Sequence, residues 1–256
     1  MTQNNIIAEA MFESHSAGED WPLPSQAVAS LNAENAYAIQ HAFVAQQLHS
    51  DSIAGFKAGA SAVPAQQMFG LDGPFCAVLL ASGNRPSGAS IVRSGFRSLL
   101  LETELCFRAG KPITQRIEDV GDLMQHIDGC FPAIELADTG GYGTAQFTGN
   151  DLIAGNGAAA AYMLGEMVAC ESFDLDRVPV AFSRGGQVLH EAMSGDLMGS
   201  QWHALAWLVN AIVDLGYEVQ AGHLLLTGSL GRPHPGEPGR YLADYGELGQ
   251  LAFEVV

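Results

Sequence analysis

Two glutamates separated by a single residue are the most chemically suggestive feature of this 256-residue sequence. Glu102 and Glu104 lie in the apolar segment 99–107, which has strand character. Side chains alternate between the two faces of a strand, so both carboxylates project from the same face. Such a pair can hold a cation, although an acidic alternation is more often the solvated outer face of a sheet.

A third carboxylate, Glu135, interrupts the apolar segment 132–138. A buried charge without a partner is too costly to keep, so we expect the three glutamates to surround a cation. Oxygen ligands without neighbouring His or Cys favour a hard divalent ion, Mg²⁺ first and Mn²⁺ second, and disfavour zinc. An ion held in this way typically polarises a 2-oxo acid, for which an enolate is the natural intermediate.

Lys57 is one of two lysines in a chain with nine arginines, and it lies between glycines in the segment 55–61. A buried lysine can lose its proton, whereas an arginine cannot. We therefore expect Lys57 to act as a general acid and base or to hold a developing enolate, with an accident of composition as the alternative. The segment 224–231 ends in small hydroxyl-bearing residues that could bind a carboxylate, or it is an ordinary strand exit.

The composition excludes several classes of partner. A formal net charge of −17 and a pI near 4.6 repel nucleic acid and anionic membranes, so we expect neither as a partner. The apolar fraction of 48% against 15% charged residues favours a well-buried globule that forms a homo-oligomer. The four cysteines lack a Cys-x-x-Cys motif and are expected to be small buried apolar residues. The N-terminus has no secretory pattern, which indicates a cytoplasmic protein.

The pattern of apolar residues predicts a mainly helical lead-in region at 1–75 and a β-rich catalytic body at 76–256, joined as one integrated unit. Asn32 is placed to cap a helix in the lead-in region. Two further helices are predicted at 158–168 and 203–215. Strands are predicted at 76–81, 99–107, 133–137, 178–183, 187–191, 224–227 and 250–255.

Seven segments, taken in order, carry a resemblance to a known family. They are AYAIQ at 36–40, GFKAG at 55–59, ETELCF at 102–107, PAIELAD at 132–138, AWLVN at 206–210, LTGSL at 226–230 and ADYGELG at 243–249. This ordered set resembles the 2-keto-4-pentenoate hydratase family, which with 4-oxalocrotonate decarboxylase belongs to the fumarylacetoacetate hydrolase superfamily.

The resemblance implies an α+β fold, a fumarylacetoacetate-hydrolase-like mixed β-sheet roll with a small N-terminal helical region. It implies a Mg²⁺ or Mn²⁺ site at Glu102, Glu104 and Glu135, with Lys57 as the residue that moves protons. Members of the family ketonise 2-hydroxydienoates from aromatic ring cleavage and then add water to the conjugated alkene. The substrate contacts that we predict are Ser61, Phe75, Asn156, Thr227 and Ser229.

Some segments depart from the family pattern. GPFCA at 73–77 and AGNGA at 154–158 lack acids and a hydroxyl that are common in the family. We therefore predict a metal-dependent hydro-lyase that works through a metal-stabilised enolate and has a more apolar substrate pocket. The alternatives are a 4-oxalocrotonate-type decarboxylase, another enolate-forming isomerase or cyclase, and a non-catalytic ligand-binding oligomer.

Overall fold

The computed structural model describes residues 2–256, which form seven α-helices and thirteen β-strands. The helices are α1 (Gln3–Ala17), α2 (Pro24–Ala27), α3 (Ala33–Gln47), α4 (Val63–Phe69), α5 (Val120–Met124), α6 (Gly149–Ala154) and α7 (Gln201–Asp214). The strands are β1 (Ile53–Gly59), β2 (Phe75–Leu80), β3 (Asn84–Arg85), β4 (Ser90–Ile91), β5 (Leu99–Ala109), β6 (Ile127–Asp138), β7 (Ala159–Leu164), β8 (Pro179–Arg184), β9 (Gln187–Met193), β10 (Leu224–Leu226), β11 (His234–Pro235), β12 (Gly239–Asp244) and β13 (Gln250–Val255).

A large mixed sheet carries the candidate site. Its strands follow the order β2-β1-β10-β5-β6-β7-β3, and β11 pairs with β5 outside this path. The sheet curls until its two sides meet, where the Asn156 amide joins them by accepting from Val78 N at 2.8 Å and donating to Val78 O at 2.9 Å. The predicted α+β roll is therefore confirmed.

The outer face of the roll holds the main hydrophobic core. Leu101 and Leu105 of β5 are fully buried there and belong to one apolar cluster with Phe182 and Tyr241. These two aromatic residues come from a second sheet, in which the strands follow the order β4-β13-β12-β8-β9. Helix α7 packs on the same face, against β1, β2 and β10. Burial of these apolar side chains supplies most of the driving force for folding.

The N-terminal helices cover one side of the roll. Asn32 caps α3 as predicted, because its side chain accepts a hydrogen bond from Asn35 N at 2.9 Å. Ile39 and Phe43 of α3 pack in a second apolar cluster with Phe75 of β2. The helical region therefore helps to position the inner face of the roll.

The predicted strands are present, and the predicted helix at 203–215 is confirmed as α7. The predicted helix at 158–168 is wrong, because residues 159–164 form strand β7 between β6 and β3. A run that is apolar on all sides has no helical period, and Gly157 and Gly165 limit it to the length of a strand. The division at residue 75 stays a prediction; β1 lies before it and forms part of the large sheet.

Across residues 2–256, no helix combines the length and the apolar character needed to cross a membrane.

Candidate metal and active site

Three carboxylates meet on the inner face of the roll. The antiparallel register of β5 and β6 places Glu102 directly opposite Glu135, and Glu104 follows two residues along the same face. One carboxylate oxygen from each residue lies within 4.8 Å of the others. Glu104 and Glu135 are buried, whereas Glu102 is partly exposed. The cluster is therefore nearest to solvent on the side of Glu102.

Lys57 reaches the same cluster from β1. In the sheet Lys57 lies beside Leu226 of β10, which in turn lies beside Cys106 of β5, two residues from Glu104. The Lys57 ammonium forms an ion pair with Glu135, with 2.9 Å between Nζ and Oε1. The lysine is only 4% exposed, so the ion pair is shielded from water. The sheet thus brings together all four residues that the sequence singled out.

Two glycines on β1 make this position of Lys57 possible. A Cβ at Gly55 would lie 1.9 Å from the carbonyl oxygen of Leu224, so the parallel pairing with β10 requires glycine there. A Cβ at Gly59 would lie 2.1 Å from the Phe75 ring. The ring therefore packs over β1, and its centroid lies 5.6 Å from Lys57 Nζ, where it can make a cation–π contact.

The loop after β10 supplies the other contacts of the cluster. Gly228 N donates to Glu104 Oε2 at 2.9 Å, while Glu104 Oε1 is buried without a hydrogen-bond partner. Ser61 Oγ donates to Thr227 O at 3.3 Å and lies where a Cβ on Gly228 would be. The Ser229 hydroxyl is buried beside Glu102 and has no well-formed hydrogen bond. Glu104 Oε1 and the Ser229 hydroxyl are thus free to bind a ligand.

The electrostatics of the cluster are unbalanced. Burial, and then the charge of Glu135, raises the pKa of Glu102 to about 7. The pKa of Glu104 lies well above its ordinary value, for the same reasons and because of Glu102. Burial alone lowers the pKa of Lys57, but Glu135 and the other two carboxylates outweigh it and the net shift is upward. One ammonium does not compensate three carboxylates, two of which are buried.

The residues present fit a hard divalent cation. Three carboxylates offer oxygen ligands within reach of one another, and the unpartnered Glu104 Oε1 is a buried acceptor of the kind that a cation satisfies. Among residues 2–256, no His or Cys belongs to this cluster. The donor set therefore suits Mg²⁺ or Mn²⁺ better than zinc.

The predicted substrate contacts divide into two groups. Phe75 packs over Lys57, Ser229 lies beside Glu102, and Ser61 contacts the 227–228 backbone that bonds to Glu104. The side chain of Asn156, by contrast, is fully used in its two bonds to Val78. Thr227 Oγ1 is buried and bonds to Leu105 O at 3.3 Å and to Gln201 Oε1 at 2.8 Å. Contact of any of these five residues with a substrate stays a prediction.

A strained turn forms one wall beside Phe75. Asn156, Gly157 and Ala158 all have left-handed backbone angles, with φ of 57°, 59° and 58°. A Cβ at Gly157 would lie 2.4 Å from the Phe75 ring. Alanine rarely adopts this conformation, and residues held in this way cluster at binding sites. The Asn-Gly pair in the sequence is the local signal for this turn.

Two residues of α3 hold β2 next to the site and were not identified as functional from the sequence. The Tyr37 hydroxyl accepts a hydrogen bond from Cys76 N at 3.1 Å. Gln40 Nε2 donates to Cys76 O at 3.1 Å and to Ile153 O at 2.9 Å. These bonds explain the AYAIQ segment, since they fix the backbone next to Phe75.

A cavity of about 860 Å³ lies outside the carboxylate cluster. It is lined by residues of the N-terminal helices, among them Phe43, and by the strained turn at Asn156 and Ala158. Lys57 and the three glutamates do not line it. The cavity and the cluster therefore lie near the same turn without sharing their charged residues.

Comparisons with known proteins agree with the resemblance seen in the motifs. No family model matches the chain. The chain is 24% identical over 241 residues to a 2-keto-4-pentenoate hydratase of Paraburkholderia xenovorans, covering 93% of this chain and 88% of that protein. It is 24% identical over 261 residues to 2-oxo-hept-4-ene-1,7-dioate hydratase of Escherichia coli, covering 99% and 98%.

Solved structures extend the comparison to the fold. A 4-oxalocrotonate decarboxylase from Pseudomonas putida G7, complexed with magnesium and adipate, superposes with a TM-score of 0.92 at 21% identity, covering 100% of this chain and 99% of that chain. A fumarylpyruvate hydrolase from Pseudomonas aeruginosa, in complex with Mn²⁺ and pyruvate, gives a TM-score of 0.59 at 16% identity, covering 78% and 88%. In motifs and sequence the chain is therefore similar to 2-keto-4-pentenoate hydratases and to a 4-oxalocrotonate decarboxylase, and it shares the fold of the solved decarboxylase.

Proposed function

We propose that this protein is a hydro-lyase, dependent on a divalent metal, that acts on a 2-oxo acid or 2-hydroxydienoate through an enolate. The observation that carries the proposal is the buried ion pair of Lys57 and Glu135 inside a cluster of three carboxylates. A residue that moves protons and a site for a cation then lie within one contact of each other. The names of the relatives, which are hydratases and a decarboxylase, support the same class of reaction.

Glu102, Glu104 and Glu135 are the residues that would hold the cation. When bound, a divalent cation supplies positive charge that polarises the 2-oxo acid and stabilises negative charge on the enolate oxygen. The Gly228 amide keeps Glu104 in place through its bond to Oε2. The partly exposed side at Glu102 leaves the substrate a route to the cluster.

Lys57 is the residue that would move protons. Ketonisation of a 2-hydroxydienoate removes a proton from the 2-hydroxyl group and adds one to a carbon of the diene. The Lys57 ammonium can donate the latter proton from Nζ, and the resulting amine can take up the former. Burial under the Phe75 ring excludes bulk water from the amine, so the proton goes to the substrate rather than to solvent. Addition of water to the conjugated alkene completes the hydration.

We also propose that the substrate is more apolar than those of typical hydratases. Phe75 and Ala158 occupy segments in which acids and a hydroxyl are common in the family. Phe75 presents an aromatic ring next to Lys57, and Ala158 presents a methyl group on the strained turn. Neither side chain can bind a polar group of the substrate, so shape and apolar contact set the selectivity there.

Decarboxylation is the second candidate. The chain is 23% identical over 181 residues to a 4-oxalocrotonate decarboxylase of Pseudomonas putida. Loss of CO₂ from a vinylogous 2-oxo acid produces the same kind of dienolate that hydration needs, so one site can support either reaction. The two candidates differ in product, not in the roles of Lys57 and the glutamates.

The test is an assay of the purified protein with Mg²⁺ or Mn²⁺ against 2-hydroxypenta-2,4-dienoate, 2-oxo-hept-4-ene-1,7-dioate and 4-oxalocrotonate. We expect the enzyme to consume at least one of the first two compounds and to form a product that is heavier by one water. The activity should be lost in EDTA. Release of CO₂ from 4-oxalocrotonate without hydration would instead favour the decarboxylase. Failure to turn over any of the three substrates, with no Mn²⁺ bound in calorimetry, would favour a non-catalytic ligand-binding protein.

We further propose that the protein is a homo-oligomer. Several apolar side chains are exposed in the single chain, including Val63 at 60%, Met68 at 78% and Val188 at 55%. An exposed apolar side chain becomes favourable to bury when two copies associate, and the apolar composition of the chain points the same way. Light scattering coupled to size-exclusion chromatography measures the mass in solution, and a mass near 27 kDa would contradict the proposal.

A further inference from the structure

Two cysteines meet outside the carboxylate cluster. Cys130 of β6 pairs with Val168 in an isolated antiparallel bridge, through Cys130 N to Val168 O at 2.9 Å and Val168 N to Cys130 O at 2.8 Å. Cys170 follows two residues after Val168 and so lies on the same face of the bridge as Cys130, close enough for each thiol to shift the pKa of the other. The fold thus places side by side two thiols that are forty positions apart in the sequence.

Close backbone packing holds the two segments together. A Cβ at Gly129 would lie 2.7 Å from the Met167 side chain, and a Cβ at Gly165 would lie 2.7 Å from the Pro132 ring. Glycines therefore flank the bridge and allow the segment after β7 to approach β6 closely. The proximity of the two thiols is therefore a consequence of this packing.

The two thiols differ in their environments. Cys130 is buried, whereas Cys170 is partly exposed. The neighbouring Cys130 thiol lowers the pKa of the Cys170 thiol, while the proximity of Cys170 and burial raise the pKa of Cys130. An accessible thiol with thiolate character next to a second thiol is the arrangement that oxidises to a disulfide. Cys76 and Cys106 are buried, and burial raises the pKa of both.

We propose that Cys130 and Cys170 form a reversible disulfide when the protein meets a peroxide. The Cys170 thiolate attacks one peroxide oxygen, the O–O bond breaks, and the other oxygen leaves as water after taking up a proton. The Cys130 sulfur then attacks the Cys170 sulfenic acid, and the S–O bond breaks with loss of a second water. Two thiols and one peroxide thus give one disulfide and two waters.

The disulfide would close a loop that contains Glu135 and all of β7. Cys130 belongs to the apolar cluster of the outer face, whereas Glu135 projects from the inner face. The cross-link would therefore restrain β6 from the outer face of the roll and would not contact the carboxylate cluster on the inner face. Because a closed loop of about 40 residues restricts the unfolded chain, we expect the thermal midpoint to rise by about 5 °C on oxidation.

Peptide mapping tests the proposal on the full chain. The reduced protein is treated with hydrogen peroxide in molar steps, quenched, alkylated in denaturant and digested. We expect a cross-linked peptide that contains Cys130 and Cys170, a mass loss of about 2 Da, and full reversal by dithiothreitol. Cys76 and Cys106 serve as internal controls and should be alkylated completely.

Variants sharpen the test. Cys170→Ser should abolish the cross-link and leave Cys130 reduced, whereas Cys76→Ser should leave the cross-link unchanged. If Cys170→Ser does not fold, Cys170→Ala serves the same purpose, and the mapping of the unaltered chain needs no variant. The proposal is overturned if both thiols stay free, if Cys170 is over-oxidised while Cys130 remains a thiol, or if the cross-link joins other cysteines.

Discussion

The two faces of strand β5 contrast in how they treat polar groups. On the outer face the Thr103 hydroxyl donates to Leu230 O at 2.6 Å and lies 3.1 Å from His190 Nε2, so its bonding capacity is used within the chain. On the inner face Glu104 Oε1 has no partner. Alternate residues of one strand thus differ in how far their polar atoms are satisfied within the chain. A bound cation would satisfy the acceptor that remains on the inner face.

Loss of the amine should have the largest effect. We expect Lys57→Met to lower kcat/KM by about 10²- to 10⁴-fold on any substrate found, because proton transfer loses its general acid and base. Mn²⁺ binding, measured by calorimetry, should persist. Lys111→Met removes the other lysine, which is exposed, and is the matched control. A Lys57→Met enzyme with full activity would remove the catalytic role.

Loss of one ligand should come next. We expect Glu104→Gln to weaken Mn²⁺ binding by about 100-fold or more, since a charged ligand becomes a neutral one. The same variant should raise the stability of the metal-free protein, because a buried carboxylate with unfavourable neighbours is removed. Calorimetry and urea unfolding measure the two effects. Unchanged Mn²⁺ affinity would mean that the three carboxylates are not the metal site.

A substitution on the outer face of β5 should lower the stability of the protein and leave metal binding unchanged. We expect Thr103→Val to cost about 1–3 kcal/mol of unfolding free energy, because Leu230 O and the His190 ring each lose a partner. Mn²⁺ affinity should change little, since the side chain points away from the glutamates. A large loss of affinity with little loss of stability would break the contrast between the faces.

The unfolding free energy of the metal-free protein should depend on pH because of Glu102 on the inner face. A carboxyl group whose pKa is raised in the folded state binds more protons folded than unfolded, so its contribution to stability falls as pH rises. For Glu102 this window runs from its ordinary value of 4.5 to about 7. We expect unfolding free energy to drop by more than about 1 kcal/mol across it, relative to Glu102→Gln. Saturating Mn²⁺ should suppress the drop, and an identical profile in the variant would contradict the prediction.

The smallest effect should come from the strained turn. Ala158→Gly removes the cost of a left-handed alanine, which is of the order of 1 kcal/mol, but adds freedom to the unfolded chain. We expect a gain in stability of a few tenths of a kcal/mol, measured by thermal unfolding. Ala161→Gly, in the regular strand β7, should destabilise instead. Equal losses in both variants would mean that the turn stores no strain.

The local sequence pattern was enough to predict β5 and β6. It also predicted that Glu102 and Glu104 project from the same face, because alternation along a strand is a property of neighbouring residues. It also predicted that a buried Glu135 needs a partner. It did not predict β7, since a run without polar residues shows no period. The contact of Cys130 with Cys170 and the use of Thr227 by Gln201 depend on long-range packing, which no local pattern contains.

The position of β10 between β1 and β5 has a consequence for how the protein matures. The amine of Lys57 and the carboxylates of β5 belong to strands that do not touch each other, and residues 224–226 are the piece that joins them. Until residues 224–226 have left the ribosome, β1 and β5 have no strand between them to pair with. The site is therefore assembled only after most of the polypeptide has left the ribosome, and an early translational arrest would yield fragments without it.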